Sequence, residues 1–396
     1  MSLPLEGIKV VEMGQLIAGP FAAKILAEFG AQVIKIEPPA SGDPLRKWRL
    51  LHNGTSVWWA AQSRNKQSVT LDLRQAEAHD VVRKLVADAD ILIENFRPGT
   101  LEKWGLGWDV LAAINPGLIM LRVSGYGQTG PYRDLPGFGV IGEAMGGLRH
   151  LSGEPGRTPV RVGVSMGDSL SALHGVIGVL LALRHRECNG GAGQQVDVAL
   201  YESVFNMMES LIPEYSVFGT VREPAGSSLP GIAPTNAYRC LDGKYALIAG
   251  NGDSIYRRLM EKIGRMDLAD DPELMHNDGR VRHVARIDAA ISTWTAERSL
   301  DEVLAGLKDA NIPSGKIYDA ADIAADPHYQ ARDMLLCSEL DDGTPVILPG
   351  IVPKLDATPG SVRSRAPTLG QHTDQVLQGL GIDARTREAW RARGVI

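Results

Sequence analysis

Five short runs rich in Val, Ile and Leu recur along the opening third of this 396-residue chain, and helical or loop sequence separates each from the next. They occupy 8–13 (Ile-Lys-Val-Val-Glu-Met), 32–37 (Gln-Val-Ile-Lys-Ile-Glu), 68–73, 90–94 and 118–124. Runs of this length and β-branched content read as strands, and near-continuous apolar strands need cover on both faces. Between them, Phe21 to Phe29 reads as a helix, with Pro20 suited to its first turn and Gly30 closing it. Gln75 to Ala87 reads as a second helix, and Asn115-Pro-Gly117 ends a short third. Strand alternating with helix predicts an α/β fold built on a parallel sheet.

The middle of the chain changes character. Glu202 to Phe218 read as helical, and 222–236 is a Gly-, Pro- and Ser-rich linker. A hairpin is expected over Ala237–Ile248, turning at Asp242-Gly243. Helical segments follow near 254–264, 284–296 and 300–309. The length allows two domains, or one large α/β unit with an insertion. The pattern places the N-terminal part of a large domain at 1–220, a smaller α+β domain at 225–325, and a linker with a return to the large domain at 326–396.

Composition removes several function classes. The net charge is −6 and no basic stripe is present, so no nucleic-acid partner is expected. Cys188, Cys240 and Cys337 are odd in number and far apart; they match no zinc spacing and no disulfide framework, which predicts a reducing, cytoplasmic setting. Glu6 and Glu12 stand where a signal peptide would need positive charge. No window reads as a membrane span; the stretch after Asp168 comes closest and is interrupted by Ser171 and His174.

The motif survey is mostly negative. Gly125-Tyr-Gly-Gln-Thr-Gly130 fits G-x-G-x-x-G and follows a strand, but the fingerprint needs a helix to start there, and Pro131 and Pro136 follow instead. The turn from Gly14 to Gly19 is neither that motif nor a P-loop. No Gly-x-Ser-x-Gly elbow is present. The nine histidines are scattered, with no metal-binding spacing, so no metal is expected. A loop with Arg46, Lys47, Trp48, Arg49, Trp58 and Trp59 is either solvated surface or a seat for an anion.

One acid stands apart. Gly167-Asp168 precedes a long stretch in which Leu170, Leu173, Val176, Ile177, Leu180 and Leu181 fall at helical spacing, with small or apolar residues between them. A helix apolar nearly all round is expected to be buried. Asp168 would then sit at its positive end, as a helix cap or as an anionic catalytic group.

Eight separate stretches together carry a family resemblance. They are Leu5-Glu-Gly-Ile-Lys-Val-Val-Glu-Met with Ala18-Gly-Pro20; Ala31-Gln-Val-Ile-Lys-Ile-Glu-Pro38 with Ser41-Gly-Asp43; Arg64-Asn-Lys66 with Leu71-Asp-Leu73; Glu94-Asn-Phe-Arg-Pro-Gly99; Ser124-Gly-Tyr-Gly-Gln-Thr-Gly-Pro131; Gly167-Asp168; Gly193-Gln-Gln-Val-Asp-Val-Ala199; and Leu369-Gly-Gln-His-Thr373. In this order the sequence resembles the class III coenzyme A transferases, a family that includes formyl-CoA:oxalate transferase and the α-methylacyl-CoA racemases. The resemblance implies that Asp168 is a nucleophile that exchanges acyl groups and CoA through covalent intermediates. It implies CoA contacts at Ile17, Ala18, Leu71, Arg74, Asn95, Phe96, Arg97 and Lys103, and a substrate lid at Gly250, Asn251 and Gly252. It also implies no tightly bound cofactor, with the CoA thioester as substrate, and a Rossmann-like large domain in an interlocked homodimer.

Departures from the family pattern narrow the reaction. Pro38 and Pro136 stand where formyl-CoA transferase has basic CoA contacts, and Ile17 where it has a substrate-facing glutamine, which argues against oxalate. Phe138 stands where the racemases carry their catalytic His, so a racemase lacks half of its proton relay here. The expected partners are an acyl-CoA, in the first place succinyl-CoA, and a short dicarboxylic acid such as itaconate. Arg46, Arg49 and Arg64 are compatible with a second carboxylate. A CoA-binding protein without turnover is the remaining alternative.

Overall fold

The computed structural model of the chain describes residues 2–396. Contacts divide it into two compact units. The larger runs to Arg149 and resumes over Arg161–Thr220 and His328–Ile396; the smaller comprises His150–Val160 and Val221–Pro327. The stretch 150–160, irregular beyond the end of the short helix Leu148–Leu151, groups with the smaller unit rather than with the N-terminal segment around it.

The larger unit is built on six parallel strands: β1 (Lys9–Glu12), β2 (Gln32–Glu37), β3 (Lys66–Thr70), β4 (Ile91–Glu94), β5 (Ile119–Ser124) and β6 (Gln194–Ala199). Their order across the sheet is β3-β2-β1-β4-β5-β6, the order of doubly wound nucleotide-binding folds. Cover on both faces follows from the strand sequences. One face carries α1 (Ala18–Glu28) and α4 (Met166–Cys188), packed with Val10, Val33, Ile93 and Leu121. The other carries α2 (Ala76–Val86), packed with Val11, Ile36, Leu92 and Met120. The chain's last residues belong to this second layer: Leu377, Ile382, Val395 and Ile396 are buried in it, and the Asp72 N–H bonds the Val395 carbonyl at 2.8 Å. Strand β6 escaped the strand prediction because Gln-Gln-Val-Asp-Val-Ala is half exposed at the sheet edge and lacks the apolar run of the inner strands.

Two short helices complete the region above the sheet: α3 (Gly139–Met145) and α5 (Leu200–Phe205). The helix expected over 202–218 is broken, resuming only at Leu211–Phe218, and Glu209 between the two parts has φ 51°. No helix starts after Gly130. Residues 131–138 turn back instead, so that a Cβ on Gly125 would lie 2.9 Å from the Gly137 Cα; Gly125 and Gly137 permit this close backbone approach.

Helix α4 corrects two expectations. It is not buried all round: Leu173, Ile177, Leu180 and Leu181 are 44%, 55%, 43% and 66% exposed, while Ala172, Val176, Val179 and Leu183 face the sheet. Its 23 residues are also, by length and composition alone, apolar enough to cross a membrane; Ser171 and His174 interrupt the apolar run less than the sequence reading assumed.

In the smaller unit, β7 (Thr235–Arg239), β8 (Tyr245–Ala249) and β9 (Ser314–Lys316) form an antiparallel sheet, with the hairpin register pairing Arg239 with Tyr245. Helices α6 (Asp253–Lys262), α7 (Val284–Ala296) and α8 (Leu300–Asp309) close its core around Tyr238, Leu259, Ile287 and Val303. Ser299 and Glu302 form a capping box that fixes the start of α8.

Candidate active site

In an open parallel sheet a crevice forms beyond the carboxyl ends of two neighbouring strands whose connections leave in opposite directions. Here those strands are β1, which leads to β2 on one side, and β4, which leads to β5 on the other. The loops that follow them are tied together: Asn95 accepts the Gln15 N–H at 2.8 Å and donates its side-chain amide to the Gln15 carbonyl at 2.8 Å. A cavity of about 170 Å³ opens at this place. Gln15, Leu16, Ile17 and Ala18 form one wall, and Asn95, Phe96 and Arg97 another; Phe138 and Asp168 also line it.

Asp168 is not the helix cap. Helix α4 begins at Met166, with Ser165 in the cap position, so Asp168 falls in the first turn. The sequence reading set the start too late because Ser165 and Asp168 are both preferred cap residues and Asp168 stands next to the apolar run; Ser165 makes no side-chain cap bond. The Asp168 carboxylate packs on Gly139, the first residue of α3: a Cβ at Gly139 would lie 2.2 Å from the Asp168 Oδ2. One turn further along α3, buried Glu143 accepts two hydrogen bonds from Arg161, at 3.1 and 3.2 Å, and the Gly167 N–H at 3.4 Å. Burial, and then the negative charge of Glu143, push the Asp168 carboxyl up to about 6, while Arg161 and the Asp168 N–H pull the other way. Near pH 7 the group is an anion poorly screened by water and correspondingly nucleophilic.

The structure brings together Asp168, Ile17, Ala18, Asn95, Phe96 and Arg97 around one cavity. Leu71, Arg74 and Lys103 do not line it. Leu71 is a core side chain with 1% exposure, so its side chain offers no surface to a ligand. Arg74 lies just beyond β3, paired with Asp72 at 2.8 Å and otherwise in solvent. Lys103 is exposed at the end of the short helix Thr100–Lys103.

Arg46 is a further correction. It is buried, donates two hydrogen bonds to Glu37 at 2.8 and 2.9 Å, and stacks 3.7 Å from the centroid of Trp59. It has no free face for a substrate. Arg64 is likewise buried against Glu28, so the proposed arginine cluster reduces to Arg49, which lies over Trp58. Gly250, Asn251 and Gly252 belong to the smaller unit and join β8 to α6. Their backbone is anchored: buried Arg280 donates to the Asn251 carbonyl at 2.7 Å, and a Cβ at Gly250 would meet Leu259 at 2.6 Å. A freely moving lid has fewer such ties.

Sequence reasoning missed Gln15, Leu16, Gly139 and Glu143. Glu143 belongs to no motif, and its relation to Asp168 exists only in the packed structure. Among the described residues no group of three His, Cys, Asp or Glu side chains is arranged to hold a metal ion.

The pattern for CoA-transferase family III matches residues 5–373, nearly the whole chain and every strand and loop of this site. The chain belongs to this family. Among its relatives, the succinyl-CoA–D-citramalate CoA-transferase of Chloroflexus aurantiacus is 46% identical over 378 residues, covering 95% of this chain and 94% of that protein. The succinyl-CoA–L-malate CoA-transferase beta subunit of the same organism is 46% identical over 383 residues, covering 96% and 94%. A crystal structure of a CAIB/BAIF family protein from Brucella suis superposes with a TM-score of 0.85 at 34% identity, covering 96% of this chain and all of that one. As a family III CoA-transferase the protein is an enzyme, and CoA thioesters are its substrates rather than resident cofactors.

Proposed function

We propose that the protein moves CoA from succinyl-CoA to a short dicarboxylic acid through covalent intermediates on Asp168. The observation that carries this reading is the placement of a half-buried, basic carboxylate in the same cavity as Ile17, Ala18 and Asn95–Arg97. An Asp168 oxygen attacks the thioester carbonyl; the C–S bond breaks, giving an aspartyl–succinyl anhydride and CoA thiolate. The thiolate attacks the Asp168 carbonyl carbon, releasing succinate and leaving an aspartyl–CoA thioester. A carboxylate of the acceptor attacks that thioester, forming a second anhydride and freeing the thiolate again. The thiolate then takes the acceptor's acyl carbon, and Asp168 leaves as the free carboxylate. No net proton or electron is exchanged, and the energy of the thioester is kept rather than lost to water.

The names of the relatives support succinyl-CoA as donor and a dicarboxylic acceptor. Itaconate, citramalate, malate, mesaconate and glutarate form the panel, with itaconate favoured in our reading and oxalate as the acid expected to fail. Phe138 lines the cavity at the place where a racemase needs its His, and a phenyl ring moves no proton. The test is hydroxylamine or borohydride trapping after incubation with succinyl-CoA. Modified mass on the peptide containing Asp168 supports the reading. Acceptor-dependent CoA exchange that survives D168A would sink it.

The exposed large apolar residues of α4 fall at 173, 177, 180 and 181, one stripe of the helix. We read that stripe as the seat of a second copy of the chain, in a homodimer.

A further inference from the structure

The wall facing Asp168 is held in a conformation that its own sequence disfavours. Leu16, between β1 and α1, has φ 64°, a left-handed backbone in which a Cβ crowds the following carbonyl. Something must hold it there. The Leu16 N–H is accepted by both Asp43 oxygens, at 3.0 and 3.2 Å. Asp43 is 1% exposed, also accepts the Leu45 N–H at 2.9 Å, and pairs with Lys35 at 2.8 Å. Lys35, with no exposed surface, donates in turn to the Gly14 carbonyl at 2.9 Å and to Glu12 at 2.7 Å. Glu12 also pairs with buried Lys66 at 2.7 Å, and Lys66 donates to the Pro20 carbonyl at 2.7 Å. These ties reach the backbone on both sides of Leu16, at Gly14 in the loop and at Pro20 in the first turn of α1, and none of these four charged side chains lines the cavity.

Four buried charges in a row cost desolvation, and ordinary packing would do without them. What they do here is specific. A carboxylate that must accept Leu16 and Leu45 together fixes the spacing of two loops, and the ammonium of Lys35 fixes the carboxylate. We propose that Asp43, braced by Lys35, is a positioning residue that holds Gln15–Ala18 against the Asp168 cavity by stabilising the left-handed turn at Leu16. The proposal rests on the reading that Asp168 carries the chemistry in that cavity.

The test uses the full-length protein and the variants D43N and L16G, alone and combined. D43N keeps the size of the side chain but puts an amide beside Lys35. It is expected to lower kcat/KM for CoA exchange roughly 100-fold, the loss a displacement of about 1 Å brings. Glycine adopts the turn without strain, so in the L16G background the same substitution should cost less than about 10-fold. A role in general stability alone would give equal losses in both backgrounds, and that result overturns the proposal. Hydrogen exchange supplies a second readout that needs no turnover: the Leu16 amide should exchange faster in D43N while β1 and β4 keep their protection. An unaltered Leu16 amide in D43N would sink the clamp by itself, whereas wild-type exchange activity untouched by D168A would sink the reading on which it rests. Should D43N not fold, D43S, which keeps one acceptor and no charge, reads the same two quantities.

Discussion

At Asp168 two requirements of a carboxylate nucleophile pull against each other. It must be ionised to attack, yet the burial that makes it reactive favours the protonated form. With its carboxyl raised from 3.8 to about 6, kcat/KM should rise with pH through about 6 and level off above it. Glu143 and Arg161 act on that limb with opposite signs. E143Q removes a negative neighbour and frees Arg161, so the acid limb should move to lower pH; R161Q should move it to higher pH, each by ~1 pH unit. A pH profile of kcat/KM for the three proteins checks this, and shifts in the same direction would refute it. The same displacement bears on stability. The folded state holds the Asp168 proton more tightly than the unfolded chain, so folding loses stability as pH rises from about 4 through 6. D168N removes that loss and should stabilise the inactive protein by roughly 2–3 kcal/mol at pH 7.5 and by less than about 1 kcal/mol at pH 4, as read from thermal melts at both pH values.

The meeting of α3 and α4 sets the geometry of the nucleophile at the next scale. At Gly139 an added Cβ would lie 2.2 Å from the end of a movable side chain, the Asp168 carboxylate. G139A should therefore leave the melting temperature nearly unchanged while lowering kcat/KM roughly 100-fold. At Gly178, on the sheet side of α4, an added Cβ would lie 2.5 Å from the Val196 Cγ1 on β6. There the helix must move off the sheet, and G178A should destabilise by ~1–3 kcal/mol, less the gain in helix propensity. Paired melts and kinetics on the two variants separate the cases. This scale also shows what was legible beforehand. The inner strands and the helices between them were readable because apolar runs and caps are local signals. Strand β6 was not, since an edge strand half in water has no apolar run. Asp168 stood out locally as a cap or a catalytic anion, and only the order of the matching motifs favoured the nucleophile. Arg46 misled because a guanidinium near two tryptophans reads the same whether it awaits a substrate or already holds Glu37.

For the molecule as a whole, helical periodicity could not tell a face that packs on a sheet from one left exposed on the single chain. The stripe through Ile177 and Leu181 is the result. The double variant I177D/L181D should shift the sedimentation coefficient from dimer to monomer; wild-type protein sedimenting as a monomer would refute the homodimer. The larger unit also has an order of manufacture written into it. Its strands are complete at Ala199, but four of the side chains that cover one face, Leu377, Ile382, Val395 and Ile396, are made only after the smaller unit. At 5–20 residues per second that is an interval on the order of 10–40 s, during which part of an apolar layer stays uncovered while the smaller unit is made. A nascent chain stalled between 220 and 370 should therefore be a preferred client of chaperones that bind apolar surface.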